Sequence, residues 1–167
     1  MRRARERDEQ FGSFFLAESE RLRRLGVWLT GDPERAADLA QEALARTFRH
    51  WRRIREQDPA PYARRILVNL VRSQHRRTLL ERRHEQKPDG FVAGEATRVD
   101  EWLRITEALK ALPPMRRATI VLRFYEDMSE ADIARALDRP LGTVKSDIHR
   151  ALAKLRPLLE ETERERA

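Results

Sequence analysis

Not one cysteine occurs in the 167 residues. That absence excludes disulfides, thiolate zinc sites and cysteine nucleophiles. Long apolar runs are missing too. None approaches the roughly 20 residues that a helix needs to cross a bilayer. The segment Met1 to Glu9 is charged and has no apolar core ahead of a cleavage site, unlike a secretory signal. A cytoplasmic protein with no membrane segment of its own is therefore expected. Histidine is scarce: His50, His75, His84 and His149 include no i, i+4 pair, so no metal site is expected. There is no glycine-rich phosphate loop and no nucleophile elbow. No constellation of acid, base and nucleophile emerges. The chain is expected to be no enzyme and to need no cofactor. Alternating strand patterns, internal repeats and low-complexity tracts are also absent.

What the chain has is charge. Lys plus Arg number 35 against 28 for Asp plus Glu, a net +7. Nearly all of the positive residues are arginine. A guanidinium donates two parallel hydrogen bonds from a planar fork, which suits phosphate and base edges. Hydrophobic residues make up 40%, enough for a core but not a large one. Two helical domains of roughly 60–80 residues would each be marginal and would lean on a partner.

The apolar pattern is helical almost throughout. Phe11, Phe14, Phe15, Leu22, Leu25 and Leu29 recur at helical spacing, and Gly31 stops that helix. Asp32-Pro33 opens the next, with aspartate as N-cap and proline at the first helical position. Its inner face is Ala36, Ala40, Ala43, Leu44, Phe48 and Trp51. Its outer face shows Asp38, Gln41, Glu42 and Arg49. After Asp58-Pro59-Ala60-Pro61 a third helix is predicted over about 61–83, with Tyr62, Ile66, Leu67 and Leu70 on its apolar side. Five arginines and two histidines crowd Arg72 to His84. Such a segment can track phosphates, each contact releasing counterions. Asn69, one turn earlier, has an amide able to read a base edge. Lys87-Pro-Asp-Gly90 and Gly94 then break the pattern, and residues 85–98 read as a linker.

A second helical block follows. Trp102, Ile105, Leu109 and Leu112 share one face. Pro113-Pro114 ends that helix and opens another, with Ile120, Val121 and Phe124 expected inside. Ser129 then precedes Asp132 by three residues, the spacing of a capping box. Ile133, Ala134 and Leu137 supply the inner face of the helix it starts. Asp138-Arg139-Pro140 makes a turn. In the helix beyond, Val144, Ile148, Leu152 and Leu155 are expected inside, which leaves Lys145, Ser146, His149 and Arg150 outside. Gly142 and Thr143 are small residues at the entry, where a duplex can approach closely. This is a helix-turn-helix with a basic reading head.

Taken in order, these segments resemble a bacterial sigma factor of the extracytoplasmic-function class, the sigma-70 group reduced to its second and fourth regions. Three phrases carry the resemblance: Asp38-Leu-Ala-Gln-Glu-Ala-Leu44, Pro61-Tyr-Ala-Arg-Arg-Ile-Leu-Val-Asn69, and Tyr125-Glu-Asp-Met-Ser-Glu130 ahead of Gly142-Thr-Val-Lys-Ser146. It implies an all-α fold of two small helical domains, residues 10–84 and 99–160, joined by the 85–98 linker. It implies core RNA polymerase and promoter DNA as partners, and an anti-sigma factor as a controlling one. Asp38, Gln41 and Glu42 would dock on the clamp helices of the polymerase. Asn69 would take a flipped base of the −10 element, with Arg72, Ser73, Arg76 and Arg77 along the adjacent strand. Arg123, Gly142, Thr143, Lys145, Ser146, His149 and Arg150 would serve the −35 element, and the same region would engage the polymerase flap. Asp147 departs from the pattern, standing where the family often has a basic residue. Its candidate partners are a cytosine amine, Arg150 or Arg156. The rival reading is a helix-turn-helix regulator that binds DNA without polymerase.

Overall fold

The computed structural model describes residues 2–81 and 98–164. Among them all regular structure is helical, in seven helices, as the all-α expectation requires. Contacts divide the chain into two units, with the division in the sequence between Ser73 and Gln74. Most of the predicted linker, residues 85–97, lies outside the described residues, as do the last residues of the third predicted helix.

The first unit is built on α1 (Arg2–Thr30), α2 (Pro33–Ile54) and the start of α3 (Pro59–Glu81). Gly31 ends α1 with φ 75°, a left-handed conformation that glycine adopts without a Cβ clash. Its amide donates to the Val27 carbonyl at 2.7 Å. Asp32 then caps α2: Oδ1 accepts from the Arg35 amide at 3.1 Å, and Pro33 fills a first-turn position where no amide is needed. Leu22, Leu25, Val27 and Leu29 of α1 are buried, as are Ala36, Ala40, Ala43, Leu44, Thr47 and Trp51 of α2. The two helices approach closely at Gly26. A Cβ there would stand 3.0 Å from the Ala36 Cβ and 3.2 Å from its Cα and carbonyl oxygen.

An aromatic cluster closes one end of this pair. Phe11 lies 4.8 Å from Phe48 and 5.2 Å, edge-on, from Trp51, while Phe14 lies 5.1 Å from Trp51. Phe15, placed on the apolar set by its spacing, instead keeps 42% of its surface exposed. Phe11 and Phe14 already face α2, and Phe15 falls one residue past that stripe. α3 begins two residues earlier than its pattern suggested, because Pro59 and Pro61 both fit a helix's first turn. Asp58 Oδ1 accepts from the Ala60 amide at 3.1 Å there. Ala63, Leu67 and Val68 are its buried residues, with Tyr62, Ile66 and Leu70 half-buried beside them.

The second unit contains α4 (Arg98–Lys110), α5 (Pro114–Phe124), α6 (Glu130–Leu137) and α7 (Leu141–Arg164). α7 packs against each of the other three. Leu109, Leu112, Ile120, Val121, Leu122, Ile133, Leu137, Val144, Ala151 and Leu155 form the core. Arg117 is buried among them. Its Nη2 donates to the Leu112 carbonyl at 3.4 Å, and desolvation lowers its pKa from the ordinary arginine value.

Two expected core residues are outside. Phe124 is 60% exposed, and Leu152 is 42% exposed. Phe124 is the last residue of α5, at the helix end rather than along its packed length. Leu152 is displaced because the inward seam of α7 runs through Val144, Asp147, Ala151 and Leu155, with Ile148 only half-buried. An aspartate occupies a position that polarity alone assigns to solvent. α7 also continues through Pro157 as far as Arg164.

Candidate nucleic-acid interface

The helix-turn-helix is assembled by caps. Ser129 Oγ accepts from the Asp132 amide at 3.1 Å and donates to Asp132 Oδ2 at 2.6 Å. The carboxylate of Asp132 also pairs with Arg135. Its pKa falls below the ordinary carboxylate value, first through the Ser129 hydroxyl and then through Arg135. The N-cap half of the expected capping box is therefore present, and the acidic partner is turned to the cap's hydroxyl. α6 ends at Asp138, which is left-handed with φ 54° and donates its amide to Arg135 and Ala134 carbonyls. Asparagine and aspartate tolerate that conformation better than most residues. The chain turns through Arg139 and Pro140 into α7.

Lys145, His149 and Arg150 are exposed on α7, and Ser146 is half-buried with its hydroxyl donating to the Thr143 carbonyl at 2.9 Å. A Cβ on Gly142 would meet nothing within 4 Å, so the entry of the helix is open. The Thr143 amide donates to the Pro140 carbonyl at 2.9 Å, which removes that donor from the amides available to a phosphate. Arg123 sits apart, at the end of α5. Its Nη1 donates to the Met128 carbonyl at 3.2 Å and stands 3.6 Å from Asp127. It thus braces the α5–α6 turn, where Asp127 has φ 49°.

Asp147 is the residue that sequence reasoning misplaced. Its partners are Arg116 and Arg139 instead of Arg150 or Arg156. Its side chain is 8% exposed, and its two oxygens are used separately. Oδ1 accepts from Arg116 Nε at 3.2 Å and Oδ2 from Arg139 Nη1 at 2.8 Å. One carboxylate thereby ties α7 both to the start of α5 and to the turn. Buried where it is, it is directed into the protein rather than toward a cytosine amine. No periodic signal pointed to this cluster, since Arg116 lies 31 residues away in sequence.

The first unit carries two further sets. Asp38, Gln41 and Glu42 share one face of α2 at i, i+3, i+4, with Asp38 and Gln41 exposed. Glu42 accepts from Arg46 Nε at 2.7 Å. That hydrogen bond, then the charges of Arg46 and Arg49, hold its carboxyl below the ordinary value. On α3, Asn69, Arg72, Ser73 and Arg76 follow one another at i, i+3, i+4, i+7, and Arg77 adjoins them. Asn69, Ser73, Arg76 and Arg77 are exposed and Arg72 is half-buried. Among the described residues no group of acidic, histidine or cysteine side chains could hold a metal ion, and no helix is long and apolar enough to cross a membrane.

Comparison with known proteins agrees with this layout. The Sigma-70 region 2 pattern matches residues 14–79, and the Sigma-70 region 4 pattern matches residues 102–155. The RNA polymerase sigma-E factor of Streptomyces antibioticus is 39% identical over 153 residues, covering 90% of this chain and 85% of that protein. The ECF RNA polymerase sigma factor SigL of Mycobacterium tuberculosis is 33% identical, covering 84% of this chain and 83% of its own. Among solved structures, the sigma factor RpoE from Bartonella quintana, in complex with the anti-sigma factor NepR, shares the fold with a TM-score of 0.69. It is 23% identical, with 90% of this chain and 96% of that one covered. The chain belongs to the sigma-70 family of RNA polymerase sigma factors, in its extracytoplasmic-function class. Its function is that of a sigma factor, which binds core RNA polymerase and directs promoter recognition and opening.

Proposed function

We propose that the work is divided between two parts of the chain. Residues 10–84 bind core polymerase and the −10 element, residues 85–98 link, and residues 99–160 read the −35 element. Asp38, Gln41 and Glu42 dock on the polymerase clamp helices. Asn69 captures a base of the −10 strand, while Arg72, Ser73, Arg76 and Arg77 hold its backbone. Gly142, Thr143, Lys145, Ser146, His149 and Arg150 face the −35 major groove, and the same part meets the flap. Arg123 contributes by bracing the turn ahead of α6. The observation that carries this reading is the exposed basic head of α7 behind a capped α6 and a tight turn. The protein performs no chemistry itself and acts in the cytoplasm. An anti-sigma factor is a fitting controlling partner, as one accompanies the solved Bartonella relative.

Run-off transcription with purified core polymerase tests the whole. A promoter-dependent transcript should appear only when this protein is added. Sequence-specific binding by the protein alone, with no transcript, would favour the polymerase-independent regulator. Two variant sets test the assignments. Asp38→Lys with Glu42→Lys should weaken core binding while the helical content stays unchanged, because both residues lie on the outer face of α2; unaltered affinity in a pull-down titration would remove the stripe from the interface. Lys145→Ala and Arg150→Ala should each weaken promoter binding by about 1–3 kcal/mol where the lost contact reads a base. An equal loss on random DNA would make them phosphate contacts only.

A further inference from the structure

Two arginines flank the recognition helix yet are spent inside the protein. Arg139 stands in the turn, two residues ahead of Leu141, where α7 begins. Arg116 stands in the first turns of α5. Both guanidinium groups reach the Asp147 carboxylate, Arg116 with 25% and Arg139 with 29% of its side chain still exposed. Cations beside the entry of a groove-reading helix are well placed to bind backbone phosphate. Phosphate contacts strengthen binding to any sequence alike, whereas base contacts distinguish sequences. A carboxylate that holds such cations therefore shifts binding toward discrimination.

We propose that Asp147 is a specificity-determining residue, its buried carboxylate holding Arg116 and Arg139 off the DNA backbone so that the exposed head of α7 dominates promoter choice. Asp147 itself touches no base. It fixes α7 against α5 and the turn, and it removes two competing phosphate contacts in the same act. The geometry suits this role: each oxygen serves one arginine, so neither guanidinium can leave without stranding an acceptor in a site where water is scarce.

The inference rests on the proposed −35 role of α7, and its test separates the two. Binding of the complex of core polymerase with the full chain is measured by anisotropy, as a function of salt, on a promoter duplex and on one with a scrambled −35 element. Each phosphate contact contributes about 0.9 to the slope of log affinity against log salt. Arg139→Gln and Arg116→Gln should leave the slope nearly unchanged, because those charges are not on phosphate. A DNA-facing cation, tested by Arg150→Gln, should lower the slope or the promoter preference. Asp147→Asn should steepen the slope by about 1–2 and reduce the preference for promoter over scrambled duplex several-fold. A slope lowered by about 0.9 in Arg139→Gln or Arg116→Gln overturns the proposal, and so does a folded Asp147→Asn with unchanged slope and preference. If Asp147→Asn does not fold, the two arginine variants still decide. A wild-type complex that ignores scrambling of the −35 element would instead overturn the role of α7, and this inference with it.

Discussion

Asp147→Ala should destabilise the second unit by about 2–3 kcal/mol. Removing one partner of a buried ion pair leaves the other charge uncompensated, at roughly 3–5 kcal/mol when both are fully buried. Here the carboxylate is buried, but the two guanidinium groups keep about a quarter of their side chains in water, which softens the penalty. The loss reaches further than one contact, since α7 forfeits its ion pairs to α5 and to the turn together. Trp102 is the one tryptophan after Ser73, so in a background carrying Trp28→Phe and Trp51→Phe its fluorescence during urea unfolding reports on this unit. A shift in unfolding free energy below about 0.5 kcal/mol, the range of ordinary surface changes, would show that the cluster is ornamental. Arg116→Ala or Arg139→Ala should have smaller effects, since the carboxylate keeps one guanidinium in each.

The other large effect is expected at Trp51. Trp51→Ala should lower the stability of the first unit by about 3–5 kcal/mol, the range for truncating a buried aromatic. The indole is 4% exposed. It is met edge-on by Phe11 and at a tilt by Phe14, arrangements worth a further increment beyond area burial. Deleting it removes two of the ring contacts that tie α1 to the C-terminal half of α2, and leaves Phe11 on Phe48. Trp51→Phe should keep most of that stability. Thermal unfolding followed by circular dichroism, with a loss of less than about 1 kcal/mol in the alanine variant, would assign the hold between α1 and α2 to the Leu22–Leu29 segment instead.

Most of the architecture was legible where local rules suffice. Asp32-Pro33 and Ser129 announce helix starts because capping is decided within three residues. Gly31 announces a stop for the same reason. The seams of α1 and α2 followed from spacing, as Leu22, Leu25, Ala36, Ala40 and Ala43 confirm. What failed depended on partners distant in sequence. Spacing puts the apolar Leu152 inside and offers Asp147 only a cytosine amine, Arg150 or Arg156 as partners. Two arginines from other segments take Asp147 instead, and no periodicity can announce them. Phe124 failed because spacing tells which face a residue occupies but not where the covering helix stops. Of the candidate site, the stripes on α2, α3 and α7 lie on their helices as the spacing required. The bracing duty of Arg123 depends on a left-handed Asp127 that the sequence does not signal.

The contact of Gly26 with Ala36 has one more consequence. Glycine inside a helix is weaker than alanine by about 1 kcal/mol, so this position gives up intrinsic helicity for nearness. The two positions share a single allowance of volume: a methyl group is present at 36, and a second at 26 would stand only 3.0 Å from it, so one side would have to give way. Among homologous chains that keep this crossing, growth at one of the two sites should be matched by shrinkage at the other. Positions ten apart in sequence would then vary as one, and the pair would mark, in an alignment, the point where two backbones come nearest.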